Sequence, residues 1–136
     1  MKIAINRCWG GFRLSHTAII LYAKLKGIKL YAVTENRTPD GRLDMKHFIP
    51  YKGRGNVLRH YLTKPLKEDG TYEGDSYYYP DIDRSDPLLI QVIEKLGKKA
   101  SSDLSNIVIK EIPDDVKWEI NNYDGMESIH EVHRSW

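Results

Sequence analysis

The stretch DRSDPLLIQVIEKLGKKA, residues 83–100, leaves the chain little conformational choice. Asp86 stands at an N-cap position, where a carboxylate accepts from the unpaired N–H groups of a first helical turn. Pro87 follows at the first helical position, where its missing N–H costs nothing. Leu89, Val92, Ile93, Leu96 and Ala100 then recur at helical spacing along one face. A helix this short is marginal alone in water, so the stripe has to be buried against another element. Only one other segment repeats the pattern. The remaining apolar segments are short and alternating, and they read as strands, which places the chain in the α+β class.

That second helix is predicted to begin after Ser15, an N-cap residue flanked by Leu14 and Ile19 at the spacing of a hydrophobic staple. It runs through Ala18, Leu21, Tyr22 and Leu25 to Gly27, a natural left-handed C-cap. Before it lies KIAIN (residues 2–6) and after it KLYAVT (29–34), both strand-like. A strand, helix and strand joined by short links predict a crossover unit with parallel strands in one sheet. Further on, HFIPY suggests an edge strand, NVLRHYL one or two helical turns, and EDGTYEGDSYYYPD a long loop. NIVIKEIP reads as a strand ended by Pro113. VKWEI alternates so that Trp118 faces inward, Asp124-Gly125 is a hairpin turn, and MESIHEV returns antiparallel. The expected architecture is a single α+β domain over residues 1–136. It has one mixed β-sheet of about five strands, two main helices, a C-terminal β-hairpin and a long irregular segment at about 35–83.

With 40% hydrophobic and 29% charged residues and no apolar run long enough to span a bilayer, the composition is that of a soluble globular protein. The amino-terminal apolar run is cut short by Asn6 and Arg7, so no secretory leader is expected, and the lone Cys8 fits a reducing compartment. The cytoplasm is the expected location. Net charge is +2, yet residues 1–67 carry 14 Lys and Arg against 3 acids, and residues 68–136 carry 7 against 16. This division is compatible with an anionic partner or with homo-oligomerisation of oppositely charged faces. The favoured reading is that the two halves interleave in the fold and neutralise each other.

INRCWGGF, where the strand pattern gives way to the helix pattern, is the first candidate site. A glycine pair ahead of a helix N-terminus can turn backbone N–H groups toward an anion. Arg7 and Arg13 would add charge-assisted donors, and Trp9 or Phe12 would stack on a base. Arg7, Trp9, Gly10, Gly11, Phe12 and Arg13 are therefore the candidate ligand-binding residues. The spacing matches no phosphate-loop fingerprint, and a tight turn explains Gly10 and Gly11 equally well. The second candidate is the basic stretch KGRGNVLRHYLTKPLK (52–67) with the aromatics around it. Tyr51, Arg54, Arg59, Tyr61, Tyr77, Tyr78 and Tyr79 are the candidate partner-binding residues, suited to an acidic protein surface or a nucleotide and less so to nucleic acid, although a solvated flexible loop is the favoured explanation of the basic stretch. No catalytic residue, metal ligand or cofactor is assigned. Cys8 lacks a paired base. His130 and His133 fall on opposite faces of a strand, and Asp81, Asp83 and Asp86 around Arg84 suit turns and caps.

Three stretches, INRCWGGFRLS, RSDPLLIQVIEKLG and EIPDDVKWEINNYDGMESIHEVHRSW, together somewhat over a third of the chain, resemble a family of small uncharacterised accessory proteins encoded by tailed bacteriophages. The resemblance brings no activity or site residue with it. It implies a context, a non-structural phage product in the infected bacterial cytoplasm. The expected function is that of a non-catalytic binder that occupies or inhibits a host protein, in particular a defence component. The alternative is a protein that sequesters or hydrolyses a nucleotide or phosphorylated signal at the Gly10-Gly11 loop. Membrane association is not expected.

Overall fold

Strand β1 (Lys2–Asn6) pairs antiparallel with β5 (Ile107–Glu111), Lys2 opposite Glu111 and Asn6 opposite Ile107. In the computed structural model that provides this fold, residues 1–52, 59–72 and 82–132 are described. The other strands are β2 (Tyr31–Arg37), β3 (Leu43–Pro50), β4 (Arg59–Leu62), β6 (Trp118–Tyr123) and β7 (Met126–Glu131). The helices are α1 (His16–Leu25) and α2 (Pro87–Leu96), the latter followed by a 3-10 turn, Gly97–Ala100. The α+β class, the two main helices and the C-terminal hairpin are all present. The single mixed sheet is not. Among the described residues the strands form three antiparallel sheets, β1-β5, β3-β2-β4 and β6-β7. β1 and β2 therefore do not form the expected parallel crossover. β1 takes a partner about a hundred residues away, and β2 finds two neighbours within its own half of the chain.

The chain packs as two compact units, Met1–Lys26 with Pro80–Trp136, and Gly27–Tyr79. The second corrects the reading of residues 35–83 as irregular. β2 sits between β3 and β4, with Val33 opposite both Pro50 and His60 and a bulge between Glu35 and Asn36. Arg59–Leu62 is strand, where helical turns had been expected. Residues 67–71 close a turn through Gly70 N–H to Lys67 C=O and Lys67 N–H to Thr71 C=O, and Gly70 C=O accepts from Phe48 of β3. Tyr72 packs its ring edge-on against Phe48. Val33, Tyr61 and Leu62 are buried.

In the first unit both helices start where their caps predict, but α2 ends at Leu96, short of Ala100, where Gly97 (φ +58°) turns the chain into the 3-10 segment, and Leu25 of the expected apolar face is exposed. Ser15 Oγ accepts from Ala18 N–H and donates to Lys99 C=O, and Asp86 Oδ1 accepts from Leu88 N–H. Gly27, just beyond α1, has φ +79°. The two helices are tied by Asp86, which accepts from Tyr22 Oη at 2.5 Å and pairs with Lys26 Nζ at 2.6 Å. Burial, helped by the neighbouring Asp86 carboxylate, pushes the Tyr22 hydroxyl up to about 12. Burial opposes ionisation of Asp86, but hydrogen bonds from Lys26, Tyr22 and Leu88 N–H outweigh it and hold the carboxyl below its ordinary value. The core consists of Ile3, Ala4 and Ile5 of β1 with Leu14, Ala18, Ile19, Leu89, Val92, Ile93, Ala100 and Ile107. Trp118 is only half-buried, so it is not the deep core anchor its alternation suggested.

The division of charge along the chain disappears in the fold. The first unit carries twelve basic residues against twelve acidic ones, and the second nine against seven. Basic α1 meets the acidic cap of α2 at Lys26 and Asp86, and Lys2 meets Glu94. No helix among the described residues is long and apolar enough to cross a membrane.

Candidate functional site: an aromatic knuckle on a buried polar lock

β1 ends in Asn6, a polar side chain with no solvent exposure whose hydrogen-bonding capacity is met by its surroundings. Its Nδ2 donates to Cys8 C=O at 2.6 Å and Gly125 C=O at 2.7 Å. Its Oδ1 accepts from Asn106 N–H at 2.9 Å and Cys8 N–H at 3.2 Å. One side chain thus ties together the glycine loop, the hairpin turn and the start of β5. The Asn6 backbone N–H donates to Glu127 Oε1 at 2.8 Å.

Glu127, 4% exposed, is the second member of this lock. Arg84 grips it with two parallel bonds, 2.7 Å to Oε1 and 3.0 Å to Oε2, the planar fork that guanidinium and carboxylate share. The Arg84 guanidinium also lies over the Phe12 ring, 3.6 Å from its centre. Arg7 donates to Glu127 C=O at 3.0 Å. The turn before α2 and strand β7 are thereby joined by paired charge, and the 5–13 segment is tied to them by hydrogen bonds and the Phe12 contact.

The hairpin turn closes on the glycine loop from one side. Asp124 (φ +52°) and Gly125 (φ +91°) form a two-residue turn between the paired residues Tyr123 and Met126, the backbone geometry that hairpins prefer. A Cβ on Gly125 would stand 2.3 Å from Trp9 C=O and 2.5 Å from Gly11 N. From the other side comes the 101–106 loop, which leaves 1.8 Å between Leu104 C=O and a Cβ on Gly10. Gly10 is needed for close approach and Gly11 for its φ of +86°. Both glycines are therefore used in packing, and the first turn of α1, four residues later, has its own cap in Ser15.

What this packing leaves outside is aromatic. Trp9 is 58% exposed, Tyr123 75% and Leu104 54%. The Trp9 and Tyr123 rings meet edge to face with centres 5.8 Å apart. Arg7 and Arg13 are exposed in the same segment, and Phe12 is half-buried beneath Arg84. Of the six ligand-binding candidates, Trp9 alone presents an open ring. Tyr123, Leu104, Asn6, Arg84 and Glu127 were missed. One sequence signal existed for the lock, a carboxylate at Glu127 two residues from Ile129 in a half-buried strand, which calls for a cation. Nothing in the sequence placed Arg84 opposite it.

In the second unit, Arg59 lies over the Tyr51 ring at 5.5 Å, so these two partner-binding candidates do come together. Tyr61, at 4% exposure, belongs to the core and is no surface contact. Arg54, Tyr77, Tyr78 and Tyr79 lie outside the described residues, as do Asp81 and His133. Asp83 accepts from Ser85 N–H and Oγ, and His130 hydrogen-bonds Ser128. A cleft of about 550 Å³ beside α2 includes Lys2, Pro87, Ile90 and Glu94 in its walls. Its Lys2 and Glu94 neutralise each other. No family model, curated protein or solved structure matches the chain.

Proposed function

We propose that this protein works by binding, as a phage-encoded accessory protein that occupies a host protein, and that the Trp9–Tyr123 knuckle is its contact. The observation that carries the reading is the pair of large rings held more than half in solvent on a scaffold locked by Asn6, Arg84 and Glu127. Exposed Trp and Tyr on a rigid support are the side chains that dominate interfaces, because they offer large area at little cost in conformational entropy. The resemblance to phage accessory proteins points to a bacterial target, and a defence component is the class such a product has most reason to occupy.

The test is a photo-crosslinking amino acid placed at Tyr123 and, as a control on the other unit, at Tyr72, in protein expressed in the bacterial host. A discrete adduct from position 123 that disappears when Trp9→Ala is added, in a variant with unchanged melting, supports the reading. Equal labelling from both positions refutes it. Recovery of a bound nucleotide by mass spectrometry, lost in Arg13→Ala, would favour the glycine-loop alternative.

A further inference from the structure

Side chains alternate along β7, so Glu127 and Ile129 share one face of the strand while Ser128 and His130 share the other. On that second face Ser128 Oγ lies 2.9 Å from His130 Nε2. With the imidazole proton on Nδ1, Nε2 accepts from the hydroxyl, which is the contact a serine nucleophile makes with its base. Glu119 stands opposite His130 in the hairpin register, the place from which a carboxylate can accept from Nδ1–H and hold the ring. We propose that Ser128 and His130 are a nucleophile and general base that hydrolyse a small carboxylic ester bearing an anionic group. This activity goes beyond the binding reading and does not rest on it.

The substrate class follows from the groove that Ser128 helps to line. It has a volume of about 310 Å³, apolar walls from Ile5, Ile112 and Ile129, and the cations Arg7 and Lys110 against one acid, Glu111. That is room for a small molecule. Arg7 Nη1 donates to Glu127 C=O at 3.0 Å, which sets the guanidinium against the peptide bond leading into Ser128. Among the described residues neither Arg7 nor Lys110 has an ion-pair partner, so both charges are left for a ligand. Lys110 attracts the anionic group, and Arg7 supplies N–H donors for the oxyanion that attack creates. The reaction balances with water alone as co-reactant. The Ser128 Oγ–carbon bond forms as the hydroxyl proton passes to His130 Nε2, and the ester C–O bond breaks as that proton goes to the departing alcohol. Water then gives a proton to the same nitrogen, attacks the acyl-serine and releases the acid, and the proton returns to Ser128 Oγ.

The experiment treats the whole folded protein with an alkyl fluorophosphonate, which bonds an activated serine oxygen through phosphorus and loses fluoride, and maps the adduct by mass spectrometry. The expected result is a single adduct on Ser128, absent in Ser128→Ala. It should form about a hundredfold more slowly in His130→Gln, whose melting should not change because the imidazole is exposed. Hydrolysis is then compared for 4-carboxyphenyl acetate and phenyl acetate, which differ in the anionic group alone. The charged ester should have the higher kcat/KM by about fivefold or more, a preference that Lys110→Ala abolishes. No adduct on the folded wild-type protein, an adduct on another residue, or an undiminished rate in His130→Gln overturns the proposal. Hydrolysis of neither ester overturns the activity, and equal hydrolysis of both overturns the substrate class. The adduct from position 123 in cells reads the binding function separately, since Tyr123 takes no part in this chemistry.

Discussion

Replacing Glu127 with Ala should remove the lock while leaving the hairpin sequence otherwise intact. The carboxylate accepts three bonds, from Arg84 Nη1 at 2.7 Å, Arg84 Nη2 at 3.0 Å and Asn6 N–H at 2.8 Å. All three are charge-assisted, and the third also satisfies a buried backbone donor. The side chains of Glu127 and Arg84 are 4% and 18% exposed, so water restores little of what is lost. Breaking one partner of such a pair costs about 3–5 kcal/mol, most of it from the stranded charge. That is a large part of the roughly 5–15 kcal/mol by which a domain is stable, and corresponds to a melting shift on the order of 10–20 °C. Urea titration followed by circular dichroism reads the change, and a double-mutant cycle with Arg84→Met isolates the pair. In the double variant no charge is stranded, so it should recover part of the loss. A cost under about 1 kcal/mol for Glu127→Ala, in the range of an exposed pair, would show that solvent reaches the bridge and refute the argument.

Four further outcomes follow from the structure. Gly10→Ala should destabilise more than Gly11→Ala, which should cost about 1 kcal/mol for its positive φ, because only Gly10 meets a backbone carbonyl at 1.8 Å; paired thermal melts compare them. Tyr22→Phe should flatten the alkaline limb of stability. With its hydroxyl raised from 10.0 to about 12, Tyr22 contributes fully below pH 10 and loses that contribution as pH climbs to about 12, as denaturant titration at stepped pH will register. Asp86 gives the opposite limb. Its lowered carboxyl stabilises the fold above its ordinary 3.8 and ceases to as pH falls through the lower folded value, so Asp86→Asn should reduce acid sensitivity in the same titration. Trp118→Ala should cost about 1–3 kcal/mol, less than the ~3–5 of a fully buried aromatic, and the variant should stay folded; collapse into insoluble protein would mean that the ring is buried.

The local elements were legible where a few neighbouring residues decide them. Ser15 and Asp86 cap helices because each hydroxyl or carboxylate needs only the N–H two or three residues on. Asp124-Gly125 makes a hairpin because both residues tolerate positive φ. The middle third was misread because its strands are made by pairing. Arg59–Leu62 carries no strong local preference and becomes strand only beside β2, and the turn at 67–71 is held by Phe48 of β3. The candidate site was half legible. INRCWGGF was singled out by composition, but what its glycines do depends on Leu104 and Gly125, far along the chain.

The sequence by itself determined the α+β class, the two helices with their caps, and the C-terminal hairpin, because each is fixed by interactions spanning a few residues. Only the tertiary structure decided which strands pair, that Arg84 and Glu127 meet across 43 positions, and that Trp9 finds Tyr123 and is left in solvent. Those outcomes depend on which distant groups can bury apolar area while keeping every polar atom bonded. That balance is struck over the whole unit, and no stretch of neighbouring residues contains it.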